Sequence, residues 1–237
     1  MVAAAGTVVD AQLLRVGERA AQEVFEPVGR HGFQRTLRPV DEIGLFPLGI
    51  VLLPTEVVPL HIFEERYKEL VGECLELDRE FGLVYADDDG VREVGTRARV
   101  ADVLERFDDG RLNILVAGGE RFRVERLTRG RSFLTAEVVP AEDEDAPADE
   151  ELLERALEAF RALAALAGGG EEPEEPSAFA IAARVELPVE AKQELLESRS
   201  EPERLQRVRD LLDALREALL AAQRLGEHAK QNGSRLR

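Results

Sequence analysis

The sequence predicts an α+β protein in which a small β-barrel or rolled sheet, with one helix packed against it, is followed by a bundle of helices. Between residues 43 and 139, short apolar runs alternate with turns that contain glycine and aspartate, a spacing typical of small barrels. One helical pattern interrupts these strands early, after Glu64, and offers an apolar face to the sheet. Beyond the acidic run Glu142–Asp145, apolar residues recur at helical spacing, which predicts a separate helical part.

Changes in composition divide the chain into three predicted parts. Residues 1–40 are expected to form an amino-terminal extension that is partly helical or mobile, because glycines and Pro39 break its one weak apolar pattern. A helix that docks on the barrel or on a partner is the alternative for this part. Residues 41–141 form the predicted β subdomain, and residues 142–237 form the predicted helical subdomain.

The composition indicates a globular, cytoplasmic protein and argues against several classes of function. Of the 237 residues, 31 are Lys or Arg and 48 are Asp or Glu, which gives a net charge of −17. An acidic chain is not expected to bind nucleic acid, because binding to phosphates needs clustered cations. No apolar run is long enough to span a bilayer. The one cysteine, Cys74, excludes an internal disulfide and a cysteine-based zinc cluster.

The stretch of residues 45–67 organises the first half of the chain. It places apolar and β-branched residues between Pro47, Pro54 and Pro59, which predicts short strands joined by tight corners rather than one long strand. From Glu64 onward the pattern becomes helical, with acidic residues in the first turn. One face of this helix carries its apolar residues, which are Tyr67, Leu70, Val71, Cys74 and Leu75.

The strands that follow are predicted from alternation and from turn residues. They cover Phe81–Ala86, Arg97–Phe107, Leu112–Ala117, Arg121–Glu125 and Phe133–Val139. Asp109-Gly110 predicts a hairpin between the second and third of them, and Gly118-Gly119 is predicted to make the next turn. In the fourth strand, alternation predicts that Phe122 and Val124 face inward while the charged residues, including Arg121, face water.

The second half is predicted to contain three shorter helices and one long helix. The shorter helices cover Leu152–Ala164, Ala178–Val185 and Pro188–Ser198. Ser200 and Glu203 form a capping box at the start of the long helix, whose apolar face runs to Leu225. The polar tail from Gly226 is expected to fray.

Three separated motifs in this sequence carry a family resemblance. The first is LFPL-x-x-V-x-x-P from Leu45 with VVPLHIFE-x-R-Y from Val57, the second is Val94–Val100, and the third is Lys192–Glu197 with Glu203-Arg204-Leu205. In this order, and over roughly residues 41–225, they resemble the Lon amino-terminal domain family, the substrate-recognition domain at the front of Lon proteases. The resemblance implies a PUA-like barrel in the first half, and it implies recognition of polypeptides rather than a reaction.

No catalytic machinery is expected in this chain. The phosphate-binding pattern G-x-x-x-x-G-K-[ST] does not occur, so no ATPase site of that type is predicted. A chain of this length that resembles only the front of Lon has no room for the ATPase and Ser–Lys peptidase domains of that family. We therefore expect a free-standing, non-enzymatic member of the family that needs no cofactor.

His61 and the two glutamates after it have a spacing that superficially suggests a metal site. A zinc site needs three or four ligands in fixed geometry, and the other histidines, His31 and His228, lie in poorly patterned ends. The Asp87–Gly90 run lacks the ligands of a calcium loop at its first and last positions. We expect no metal, and we expect His61 to have a structural role in which it bonds a nearby backbone group.

The candidate binding residues lie near the junction between the strands and the first helix. They are Pro54, Phe63, Arg66, Tyr67 and Phe81, with Arg66 as a polar rim. The expected ligands are unfolded or partly folded polypeptide segments, bound in a cleft between the two subdomains. The alternative interpretation makes at least two of the three aromatic residues ordinary core.

Two other functions remain open from the sequence. The chain could be an adaptor or regulator of a separate protease or chaperone, with the long carboxy-terminal helix as its docking surface. It could also bind RNA or a nucleotide as other PUA-like barrels do, through Arg97, Arg99, Arg121 and Arg123 on one outer face, although nearby glutamates dilute that charge.

Overall fold

The computed structural model of the protein describes residues 41–144 and 149–233, with side chains as far as Leu225. The chain forms two compact units that divide between Ala141 and Glu142. The first unit consists of strands and one helix, and the second consists of helices. The extension predicted for residues 1–40 lies outside the described residues.

The first unit, within residues 41–141, is a closed barrel with additions. Its strands are β1 (Asp41–Leu48), β2 (Val57–Ile62), β3 (Phe81–Asp87), β4 (Gly90–Val91), β5 (Val94–Arg106), β6 (Leu112–Thr128) and β7 (Leu134–Pro140), and its helix is α1 (Glu65–Leu77). The strands β1, β7, β6, β5 and β3 pair in that order through antiparallel ladders, and β3 pairs back with β1 in parallel. The ring of five strands is therefore complete, and it confirms the predicted barrel. The strand β2 adds to β6 outside the ring, and β4 extends β3.

Alternation along the strands divides the apolar residues of this unit into two clusters. One cluster fills the ring and consists of Ile43, Leu45, Val84, Phe122, Ala136 and Val138. Gly82 and Gly95 leave room there for the Phe122 ring, since a Cβ at either glycine would lie within 2.8 Å of its Cζ. The other cluster lies between the strands and α1, and it contains the predicted buried residues of that helix, Tyr67, Leu70, Val71 and Cys74.

The prediction of a turn at Gly118-Gly119 is wrong, because β6 runs through both glycines without a break. The first half of β6 pairs with β2 and the second half pairs with β7. At Gly118 the backbone instead meets the loop before β2: its N–H donates to the Glu56 carbonyl at 2.8 Å, and its carbonyl accepts from the Thr55 N–H at 2.9 Å. A Cβ at Gly118 would lie 2.1 Å from the Leu53 carbonyl oxygen, so this glycine permits a close approach rather than a turn.

The second unit consists, within its described residues, of α2 (Glu150–Ala167), α3 (Ala178–Ala182), α4 (Val189–Glu197) and α5 (Glu201–Gly233). Asp149 caps α2 by accepting from the Leu152 N–H, and Gly168, with φ 95°, ends it. Both α2 and α3 pack against α5. The prediction that the chain frays from Gly226 is wrong, because α5 continues through it to Gly233; one glycine costs a helix only about 1 kcal/mol.

Arg204 joins the start of α5 to the segment before α2. Its side chain is 2% exposed, and its guanidinium donates to both Asp143 and Glu201 and, at 2.8 Å, to the Ser198 carbonyl. The guanidinium also lies 4.5 Å from the centroid of the Phe179 ring in α3. A buried charge needs such complete pairing, so Arg204 fixes the arrangement of these segments within the helical unit.

Candidate functional site

The structure separates the five candidate residues into buried and exposed groups. Phe81 is fully buried and Tyr67 is 6% exposed, and both belong to the cluster beneath α1. The Tyr67 ring stacks on Phe46 with 3.9 Å between centroids. Pro54 is half-buried in the turn before β2. Phe63 is 60% exposed and Arg66 is also exposed, so these two are the candidates that can contact a ligand directly.

The short connection between β2 and α1 determines where Phe63 points. Only Phe63 and Glu64 separate the strand from the helix. The Ile62 side chain at the end of β2 is 1% exposed, and successive residues of extended chain point to opposite faces. Phe63 therefore points outward, and the rigid elements on either side hold it there.

Residues of the β5–β6 hairpin reach the His61 ring beside Phe63 and extend the aromatic surface. The His61 ring stacks on Phe63 at 5.9 Å between centroids, and Phe107 meets the His61 ring edge-on at 6.0 Å. The Arg111 guanidinium lies 4.9 Å from the centroid of the Phe107 ring. We call His61, Phe63, Phe107 and Arg111 the Phe63 surface. The sequence reasoning missed Phe107 and Arg111, although an aromatic residue beside a predicted hairpin was a signal that could have found them.

His61 has a side-chain partner rather than the backbone partner that the sequence predicted. Its Nδ1 lies 2.6 Å from the Asn113 Oδ1. The Asn113 Nδ2 donates to Glu105 at 2.9 Å, which assigns the oxygen of the amide to the histidine side. His61 Nδ1 is therefore the protonated nitrogen and donates this bond. The bond crosses from β2 to β6 and holds the imidazole against Phe63.

Arg66 lies at the edge of the buried Tyr67. Its guanidinium is 4.5 Å from the centroid of the Tyr67 ring and pairs with Glu64 at 2.7 Å. Burial raises the pKa of the Tyr67 phenol, and the positive charge of Arg66 opposes that shift. Because Arg66 is paired with Glu64 and lies against Tyr67, it contributes a neutralised polar rim and not a free cation.

The strand β2, next to Phe63, has one unpaired edge within the described part of the chain, where it pairs only with β6. Its side chains Val57, Val58 and Leu60 are half-buried. Pro59, in the middle of β2, has no N–H, so the free edge lacks one donor for a further strand. Pro59 at a strand edge and Pro54 in a turn agree with the prediction for the prolines, whereas Pro47 lies inside β1, where it pairs with Val84. The strand β2 offers mainly apolar side chains.

The four arginines proposed for RNA binding do not form one exposed basic face. Arg121 is 8% exposed, so the prediction that it faces water is wrong. It pairs in the ladder with Thr96, which is fully buried, and an extra residue in β6 itself, between Gly118 and Arg121, disturbs the alternation there. Arg97 pairs with Asp41 at 3.0 Å and lies 3.9 Å from Glu80. These contacts leave little free positive charge for a phosphate backbone.

The described residues contain neither a cluster of metal ligands nor a helix that could span a membrane. In residues 41–144 and 149–233, no three His, Cys, Asp or Glu side chains come together in a way that could hold a metal ion. The helices of the same residues include none with the length and apolar character needed to cross a membrane.

The fold defines a mixed α/β domain with a barrel followed by helices, and solved structures share that fold. A Lon N-terminal domain protein from Xanthomonas campestris is similar, with a TM-score of 0.57 and 28% identity, over 71% of this chain and 97% of that chain. The N-terminal domain of the Mycobacterium avium complex Lon protease is similar in fold, with a TM-score of 0.58 and 19% identity, over 73% and 98% of the two chains.

The family model of the ATP-dependent protease La (LON) substrate-binding domain matches residues 42–214, and the chain therefore belongs to that family. The Lon protease of Rhizobium meliloti (strain 1021) is 27% identical over 217 residues, which are 81% of this chain. The Lon protease of Paraburkholderia phytofirmans is 28% identical over 225 residues, or 86% of this chain. The chain spans about a quarter of the length of these relatives, 27% and 28% respectively, and the part it matches is the non-catalytic substrate-binding domain.

Proposed function

We propose that this protein binds unfolded or partly folded polypeptide segments, without catalysis, through the Phe63 surface. Membership of the substrate-binding family supports a role in substrate recognition. The observation that carries the specific proposal is the exposure of Phe63, at 60%, between two rigid elements. An exposed aromatic residue held in one position is a favourable anchor, because little conformational entropy is lost when a ligand covers it.

The chemistry of the Phe63 surface suits an unfolded chain. Phe63, His61 and Phe107 offer aromatic faces to apolar side chains that a folded protein would bury. Arg111 pairs with Asp109 at 2.7 Å, so its charge is already balanced. A surface of this kind selects exposed apolar residues rather than a particular sequence, and we expect micromolar affinity.

Fluorescence anisotropy of a labelled, permanently unfolded polypeptide, titrated with the protein, tests this proposal. We expect saturable binding that survives moderate salt, and Phe63→Ser should weaken it about tenfold, since burying a phenylalanine contributes about 1.5–3 kcal/mol. Leu127→Ser is the matched control, because Leu127 is an exposed apolar residue of β6, at 50%, outside the Phe63 surface. Absence of binding by the unaltered protein, or equal effects of the two variants, would contradict the proposal.

A second candidate function is favoured by the far half of α5. Leu225 is 71% exposed, and Leu219 and Leu215, about two and three turns earlier on the predicted apolar face, are only half-buried. An adaptor that docks on a separate protease or chaperone would use such a face. Recovery of that partner from cell extract by the unaltered protein, and its loss with Leu219→Ser and Leu225→Ser together, would favour this function over the first.

A further inference from the structure

A pocket in the first unit carries an inference beyond the Phe63 surface. It has a volume of about 400 Å³ and lies between α1 and the turn that joins β6 to β7. The buried side chains of Leu70, Cys74 and Phe133 form its floor, and the Arg131 guanidinium lies 4.6 Å from the centroid of the Phe133 ring. The volume falls within the range of about 300–1,000 Å³ that is common for ligand sites in proteins.

The three acidic residues that line this pocket already have partners. Glu73 accepts from Arg131. Glu42 accepts from the Thr128 hydroxyl at 2.6 Å. Glu80 lies 3.9 Å from Arg97, outside the pocket. The carboxylates are therefore not free to bind a cation.

Two arginines of the pocket, in contrast, are exposed and have no carboxylate partner among the described residues. Arg79 directly follows the residue that ends α1, and its backbone N–H donates to the Cys74 carbonyl at 3.0 Å. Burial raises the pKa of the Cys74 thiol to about 11, and the charge of Arg79 acts in the opposite direction. Arg129 begins the β6–β7 turn, beside Gly130 with φ 127°. Both arginines line the pocket.

We propose that this pocket binds the carboxy-terminal residue of a polypeptide whose last side chain is apolar. The free carboxylate would pair with Arg79 and Arg129, and the last side chain would lie on Leu70 and Cys74, beside the Phe133 ring that Arg131 covers. Guanidinium groups recognise carboxylates through paired, charge-assisted hydrogen bonds, whereas an internal peptide bond offers no such charge. The proposal rests on the proposed function, because it names the part of the polypeptide client that a second site reads.

Two versions of one short, Gly/Ser-rich peptide that ends in leucine provide the first measurement. One version has a free carboxylate and the other an amidated end, and both carry a fluorophore at the amino terminus. We expect the free-ended peptide to bind about tenfold more tightly, and we expect salt to reduce this difference. Equal affinities of the two versions would overturn the proposal.

Substitutions of the two pocket arginines test whether the preference for the free-ended peptide arises in this pocket. Arg79→Gln combined with Arg129→Gln should reduce the affinity for the free-ended peptide to that for the amidated peptide, and should leave the latter unchanged. Arg106→Gln is the matched control, because Arg106 is an exposed arginine of β5 outside the pocket. A preference for the free end that persists in the double variant, or that Arg106→Gln abolishes as well, would overturn the assignment to this pocket.

The single cysteine gives a readout that requires no substitution. Cys74 lines the pocket floor, so the bound free-ended peptide should slow the modification of its thiol by a small reagent, and the amidated peptide should not.

The experiments distinguish failure of the pocket proposal from failure of the Phe63 proposal. Equal binding of both peptides, together with binding of the unfolded polypeptide that Phe63→Ser weakens, would leave the Phe63 surface and remove the pocket. Selective binding of the free-ended peptide, together with binding of the unfolded polypeptide that Phe63→Ser leaves unchanged, would leave the pocket and remove the Phe63 surface.

Discussion

Gly118 is the residue at which the barrel backbone passes closest to another segment of the chain. A Cβ there would lie 2.1 Å from the Leu53 carbonyl oxygen, a backbone atom that cannot rotate away. We expect Gly118→Ala to lower the free energy of unfolding of the first unit by about 2–3 kcal/mol, because the loop must shift and the two hydrogen bonds to it weaken. Tyrosine fluorescence during urea unfolding measures this, since both tyrosines, Tyr67 and Tyr85, lie in the first unit.

Gly72 provides the matched control for that substitution. It lies inside α1, and a Cβ there would meet nothing within 4 Å. Gly72→Ala should therefore raise the free energy of unfolding by about 0.5–1 kcal/mol, the difference in helix propensity between the two residues. A neutral or stabilising Gly118→Ala would show that the backbone contact is looser than its geometry indicates.

Cys74 makes the stability of the first unit depend on pH in the alkaline range. Burial, as the main cause, raises the pKa of its thiol from 9.0 to about 11. Between these values the unfolded chain has released the proton that the folded chain still binds, so the free energy of unfolding falls as the pH rises. The loss is at most about 3 kcal/mol, and unfolding curves by circular dichroism at several pH values measure it.

Cys74→Ala separates this effect from that of Tyr67. The pKa of the Tyr67 phenol is also raised by burial, so part of the alkaline loss of stability belongs to the tyrosine and remains in the variant. We expect the variant to be less stable at neutral pH, through lost packing, but to lose less stability between pH 9 and 11. If the free energy of unfolding falls equally with pH in the unaltered protein and in Cys74→Ala, groups other than Cys74 cause the whole pH dependence.

At the scale of elements, α5 has a buried first half and an exposed second half. Leu212 is 1% exposed and Leu225 is 71% exposed, although the same apolar periodicity passes through both. We expect Leu212→Ala to lower the free energy of unfolding of the helical unit by about 2–4 kcal/mol, and Leu225→Ala to change it by less than about 0.5 kcal/mol. Urea unfolding followed by circular dichroism at 222 nm measures both variants. A large effect of Leu225→Ala would mean that a further segment or a second copy covers this face.

The elements also show how far the sequence was sufficient. Local patterns were enough for α1 and its buried face, and for the hairpin at Asp109-Gly110. They failed at Gly118-Gly119, because a missing side chain suits a turn and a close approach equally well, and only the distant Leu53 decides between them. They failed at Arg121 because an extra residue in β6 itself, between Gly118 and Arg121, shifts the alternation.

The candidate site was predictable only in part, for a related reason. Phe63 stood out as one of three aromatic residues, and the apolar surroundings of the other two identify them as core. Phe107, however, reaches the Phe63 surface only because the β5–β6 hairpin pairs beside β2, a pairing between distant segments. The pocket with Arg79 and Arg129 likewise depends on a turn meeting the end of a helix, and no local periodicity encodes that contact.

At the scale of the whole molecule, net charge should determine which unfolded polypeptides bind. Near Phe63 the positive charges are balanced, since Arg66 pairs with Glu64 and Arg111 with Asp109. The long-range field is therefore that of the whole chain, whose net charge is −17. Such a field slows the approach of acidic ligands and is screened over about 10 Å at 0.1 M salt.

This charge leads to a prediction for two unfolded polypeptides of equal apolar content, one acidic and one neutral. Both have amidated carboxy termini, so the pocket lined by Arg79 and Arg129 does not contribute to their binding. At low salt we expect the acidic polypeptide to bind about tenfold more weakly, and at moderate salt we expect the two affinities to converge while the neutral one hardly changes. Phe63→Ser should weaken both by the same factor at every salt concentration, because it removes an apolar contact that salt does not screen. Tighter binding of the acidic polypeptide at low salt would show instead that local arginines, rather than the aromatic faces, dominate recognition.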